Sequence, residues 1–210
     1  MTNKDFAGLG KQLLSNLPGF SVKGPMTFVC PVKDVLRGLC FEGSSFDRKS
    51  FYVWTFFLPL FAPTKHVSFN LGKRLREPSG GDRWNADTPN LIADLGTAVK
   101  REALPFLSGI KSTEDIAKAA ATAFQKSGGA YAQQAIAYAW ARSGEVTRAN
   151  EEFNRLVRLL DLKIPWQREM AERAETLKAK LLANPADAQR QLEDWEVETL
   201  QNLGLEKFRQ

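Results

Sequence analysis

The run "FYVWTFFLPLFAP" at residues 51–63 constrains the fold more than any other stretch. A helical membrane span needs about 20 apolar residues. This run is shorter, contains Pro59, and is flanked by Arg48, Lys49 and Lys65, so no membrane span is expected. Its β-branched and aromatic composition is that of a strand. Alternation sends Phe51, Val53, Thr55 and Phe57 to one face and Tyr52, Trp54, Phe56 and Leu58 to the other, and both faces are apolar. Such a strand needs cover on both sides. A helix of its own domain supplies one cover; the C-terminal helices or a second copy of the chain must supply the other. Tyr52, Trp54 and Phe56 are therefore the candidate interface residues.

The rest of residues 1–86 reads as a helix near 4 to 17, then strands near 26 to 32, 36 to 42, 50 to 61 and 66 to 76. The connections "EGSSFDRKS" and "FAPTKH" are too short for helical crossovers, so the strands form an antiparallel meander. A hairpin turning near Asp34 and Val35 would set Cys30 and Cys40 almost opposite each other. "HVSFNLGKRL" alternates Val67, Phe69 and Leu71 with His66, Ser68 and Asn70, as a strand with one wet face does.

Residues 87–210 read as helical throughout. Thr88 with Pro89, Ser112 with Asp115, Pro165, and Asn184 with Pro185 are start signals; Gly128 and Gly129, then Ser143 and Gly144, are breaks. Apolar stripes at three-to-four spacing run Leu91, Leu95, Val99, Phe106; then Trp166, Met170, Ala174, Leu177, Leu181; then Ala188, Leu192, Trp195, Thr199, Leu203. The expected fold is α+β: an N-terminal helix on an antiparallel β-sheet (1–86), followed by a C-terminal helical bundle (87–210) packed on the sheet.

Two resemblances accompany this reading. The order "LPGFSVKGPMTFVCPV", "LRGLCFEGSS", "FYVWTFFLPLF" and "VSFNLGKRL" before Trp84 resembles small uncharacterised bacterial α+β domains over residues 13–86. That resemblance implies one helix on an antiparallel sheet and brings no catalytic residues. Residues 130–162, with Ala137, Trp140, Gly144, Ala149 and Phe153, resemble one tetratricopeptide hairpin. No second copy follows at that period.

Catalytic signals are sparse. One histidine, His66, and two cysteines fit no usual zinc site, and neither an EF-hand nor HExxH spacing occurs. "GLGK" at 8–11 lacks the second spaced glycine and the Ser or Thr of a phosphate loop, so Gly8 and Gly10 read as small packing positions. No cofactor is expected. The opening "MTNKDFAGLGKQLLSNL" has helical spacing instead of a signal-peptide core, which predicts a cytoplasmic protein with reduced, inert thiols.

Charge is distributed unevenly. Residues 1–86 carry 12 Lys and Arg against 6 Asp and Glu, and residues 87–210 carry 17 against 18. The basic excess centres on Lys65, Lys73, Arg74, Arg76 and Arg83, with Trp84 beside them, a set that would hold phosphate and stack a base. Cations at a strand end also guard it against edge pairing. The favoured reading is a non-enzymatic protein-interaction module, by a protein partner or self-association, with Trp140, Trp166 or Trp195 as contacts. A nucleic-acid or anionic-ligand binder and an enzyme with a site assembled from distant residues are its rivals.

Overall fold

The computed structural model describes residues 1–14 and 17–209. In them the chain is α+β, with a helix, a six-stranded antiparallel sheet and then a helical region. It divides into two compact units: Met1–Leu58 with Gly72–Gly109 and the end of the chain from Lys207, and Pro59–Leu71 with Ile110–Glu206.

In the first unit, α1 (Asn3–Leu14) buries Phe6, Leu9 and Leu13 on the sheet. The helix read from the sequence continued to residue 17; residues 15 and 16 lie outside the described residues. Gly10 is the close-approach point: a Cβ there would stand 2.5 Å from Thr27 Oγ1 on β2, whereas Gly8 faces open space.

The strands are β1 (Phe20–Lys23), β2 (Met26–Val29), β3 (Val35–Gly43), β4 (Ser50–Pro59), β5 (Gly72–Arg74) and β6 (Arg83–Asn85). Their order is β1-β2-β3-β4-β5, with β6 also on β4. The β2–β3 register sets Met26 opposite Cys40 and Phe28 opposite Gly38. Cys30 and Cys40 therefore do not face each other, contrary to the hairpin read from the sequence: the turn closes at Lys33–Val35, with Asp34 at φ 56°, close to the expected place, but the ladder beyond it is offset, so that the residue opposite Cys40 is Met26, four residues before Cys30. Both thiols are free. Gly38 is required by the pairing itself, since a Cβ there would lie 2.3 Å from the Thr27 carbonyl oxygen.

The long strand expected over 66–76 is reduced to Gly72–Arg74. Two short strands divide one edge of β4: β6 takes Ser50–Tyr52 and β5 takes Trp54–Phe56. Residues 59–71 belong to the second unit instead.

Helix α2 (Leu91–Ala98) starts at Asn90, not Thr88, and Pro89 precedes it. The Thr88 carbonyl accepts from Leu91 N at 3.2 Å, closing a turn before the helix begins. A π-helical turn, Val99–Ala103, leads into α3 (Leu104–Ser108). The wide turn lies just ahead of Pro105, whose ring would crowd the residue 101 carbonyl in a regular helix. Leu91, Leu95 and Val99 join Phe6, Phe41, Phe51 and Val53 in one core. That shared burial draws residues 91–109 into the sheet unit.

The second unit holds α4 (Thr113–Ser127), α5 (Ala130–Arg142), α6 (Val146–Leu159), α7 (Pro165–Ala183) and α8 (Pro185–Leu203). Here local signals and structure agree. Ser112 and Asp115 form a reciprocal capping box, and Asn184 Oδ1 accepts from Ala186 N ahead of α8. Neighbouring helices pack in sequence order, and Ala137, Ala149, Phe153, Leu177 and Leu192 are fully buried.

Candidate interaction site

Of the cations singled out in the sequence, Lys73, Arg74 and Arg76 line one cleft, and Arg83 is not among its lining residues. Lys65 is exposed in the second unit; Lys73, Arg76 and Arg83 are exposed in the first. Register sends Lys73 and Arg74 to opposite faces of β5. Lys73 Nζ lies 5.7 Å from the Phe106 ring centroid, whereas the Arg74 guanidinium lies 3.8 Å from the Tyr52 centroid and 4.9 Å from that of Trp54. Asp82 also pairs with Arg74 at 3.1 Å. The adjoining cleft of about 830 Å³ is lined by Lys73, Arg74 and Arg76 but equally by Asp82 and Glu102. Trp84 is 2% exposed, and its Nε1 donates to the Leu75 carbonyl oxygen at 3.1 Å. Its ring faces the core and is closed to a stacked base.

On β4, Phe51, Val53, Thr55 and Phe57 are buried, as is Phe56 on the other face. Tyr52 and Trp54 are half-buried beneath Arg74, and Trp54 Nε1 donates to Glu42 Oε2 at 2.7 Å. A cation thus covers the outer part of the second apolar face, a cover the hydrophobic pattern did not disclose.

Phe46, Leu182 and Val197 are exposed singly, whereas four of the open large apolar residues belong to one end of the helical unit. Gln133 Nε2 donates to Glu152 Oε2 at 2.6 Å, fixing the first turn of α5 beside the middle of α6. A short turn then returns the chain into α7. This order brings Tyr131, Leu159, Leu162 and Trp166 to the same end. Tyr131 and Trp166 stack, with centroids 5.3 Å apart and planes 6° from parallel. Yet they remain 45% and 42% exposed, and Leu159 and Leu162 remain 49% and 54% exposed.

The turn that presents Leu162 is held firmly. Asp161 N donates to Gln167 Oε1 at 2.6 Å, Lys163 N to Asp161 Oδ1 at 2.9 Å, and Ile164 N to the Asp161 carbonyl at 3.0 Å. Pro165 then opens α7 with its φ already set. By contrast, Trp140 is half-buried under Arg148, at 4.8 Å, and Trp195 stacks on buried Tyr138, at 5.6 Å. Of the three tryptophans proposed as contacts, Trp166 is the one the fold leaves exposed. Tyr131, Leu159 and Leu162 were not singled out in the sequence. The signal was available in "RLLDLKIPW", where apolar residues occupy more positions than one buried stripe can take.

Among the described residues no group of His, Cys, Asp and Glu is placed to hold a metal ion, and no helix is long and apolar enough to cross a membrane. The chain matches no protein-family model, no curated protein and no solved structure.

Proposed function

We propose that this protein is a non-enzymatic protein-binding module, acting in the cytoplasm, and that the Tyr131–Trp166 end of its helical unit is the contact surface. The observation that carries the reading is the stacked, half-exposed aromatic pair at the end of the helical unit where α6 closes at exposed Leu159 and a hydrogen-bonded turn presents Leu162. Large apolar side chains already held in place lose little conformational freedom on binding, and tryptophan and tyrosine are the residues most often found to dominate interface energies. Burying the half of Leu162 or Leu159 that is still exposed would contribute about 0.8–1.5 kcal/mol each. The rival built on Lys65, Lys73, Arg74, Arg76, Arg83 and Trp84 has less support, because Trp84 lies in the core and Arg74 is already engaged by Asp82, Tyr52 and Trp54.

The test is quantitative affinity capture from a cell extract with the full chain and with Trp166→Ala and Leu162→Ser, compared protein by protein. A partner retained by the parent chain and lost by both variants is the expected outcome. Identical retention by all three would end the assignment of this surface.

A further inference from the structure

We infer that the occupant of this surface is an acidic segment of another protein, one that carries apolar anchors flanked by aspartate or glutamate. The inference rests on the protein-binding reading and adds the chemistry of the partner. The two chain segments that supply the open apolar residues, 126–133 and 152–169, carry Lys126, Arg155, Arg158, Lys163 and Arg168 against Glu152, Asp161 and Glu169. Glu152 and Arg155 offset each other, which leaves Lys126, Arg158, Lys163 and Arg168 against Asp161 and Glu169. Glu152 is paired with Arg155 at 2.6 Å and accepts from Gln133, and Asp161 Oδ1 accepts from its own turn. Arg158, Lys163 and Arg168 are exposed and make no ion pair among the described residues; Glu169 is likewise exposed and unpaired.

Residues 87–210 as a whole hold one more acid than base, so this end is positive against the sign of its own half. In sequence the cations interleave with the open apolar residues: Arg158 next to Leu159, Lys163 next to Leu162, Arg168 two beyond Trp166. Asp161 and Glu169 stand in the same rim, so its positive charge is an excess of two; an apolar centre with a net positive rim favours a partner of opposite charge over one of like charge.

The experiment uses a phage-displayed library of random 16-residue peptides, panned on the full chain at low and moderate salt. Enriched peptides should combine Leu, Ile, Phe or Trp with Asp or Glu. Their binding should fall about 30-fold or more in Trp166→Ala and about tenfold in Arg158→Glu/Lys163→Glu, with a weakening in salt that the charge-reversed variant lacks. Circular dichroism confirms that the variants fold; Trp166 and both cations are exposed. Enriched peptides that need Trp166 but lack carboxylates, or that ignore the charge reversal, overturn the inference and leave the protein-binding surface standing. Peptides indifferent to Trp166, or no enrichment at all, overturn the inference and remove the surface as a peptide site. A concentration-dependent dimer by light scattering that Trp166→Ala abolishes overturns it too, since the occupant is then a second copy of this chain.

Discussion

Replacing Arg142 by methionine tests how the last helix is held. Glu196 of α8 is 0% exposed, and Arg142 of α5 reaches it at 3.5 Å with a side chain only 12% exposed. The same guanidinium meets Glu193 at 3.1 Å and Gln189 Oε1 at 3.3 Å. Gln189 in turn donates to the Ala141 carbonyl at 2.7 Å. Removing one partner of a buried pair costs about 3–5 kcal/mol, because the other charge stays buried; removing both for apolar residues of similar volume is often neutral. The 3.5 Å separation and the residual exposure of Arg142 place Arg142→Met near the lower end, about 3 kcal/mol. Half-exposed Glu193 adds less than about 1 kcal/mol. For a chain of this size that corresponds to a fall in Tm of roughly 6–12 °C. Glu196→Leu should cost less, since Arg142 keeps Glu193 and some solvent, and Arg142→Met/Glu196→Leu should return to within about 1 kcal/mol of the parent. Urea unfolding followed at 222 nm for the four proteins gives the cycle. An Arg142→Met loss below about 1 kcal/mol, or strictly additive losses in the double variant, would refute the argument that this pair is energetically isolated from solvent.

Three further outcomes follow from single contacts. Ser112→Ala should destabilise α4 by about 1 kcal/mol at neutral pH; because hydrogen bonds from Lys111 N and Ser112 hold the Asp115 carboxyl below its ordinary range, this capping contribution is present above the ordinary carboxylate pKa and is lost as pH falls through the lowered one, so the deficit of the variant should shrink in acid. Burial pushes the Cys40 thiol up to about 12, so at pH 8 a disulfide-exchange reagent should modify half-buried Cys30 first and Cys40 only on unfolding; simultaneous modification of both in the native protein would contradict this. Gly38→Ala should cost about 1–3 kcal/mol, measured by urea unfolding, because the new methyl meets the Thr27 carbonyl, which the strand pairing does not allow to withdraw.

Local chemistry made much of this fold readable from the sequence. A capping serine with an acid three residues on, a proline at a first helical position and a pair of glycines act within one turn of chain, and they set α4, α7 and α8 where they were expected. The apolar alternation of residues 51–58 likewise identified β4 as a strand needing cover on both faces. Choices among distant partners were not readable. Whether β4 pairs with a long strand or with two short ones depends on which backbone reaches its edge, and that decision shortened the 66–76 strand and drew Trp84 into the core. The cover over Tyr52 and Trp54 came from the guanidinium of Arg74, a residue whose type predicts solvent or phosphate until its position opposite Trp54 is known. The candidate site shows the same division. Periodicity marks Trp166 as part of a stripe, but one end of a stripe lies beyond the neighbouring helices, and only the lengths and order of α5, α6 and α7 decide that Trp166 and Tyr131 meet there and stay exposed. Sequence by itself determined the elements that depend on neighbours along the chain; tertiary structure decided everything that depends on which surfaces run out of partners.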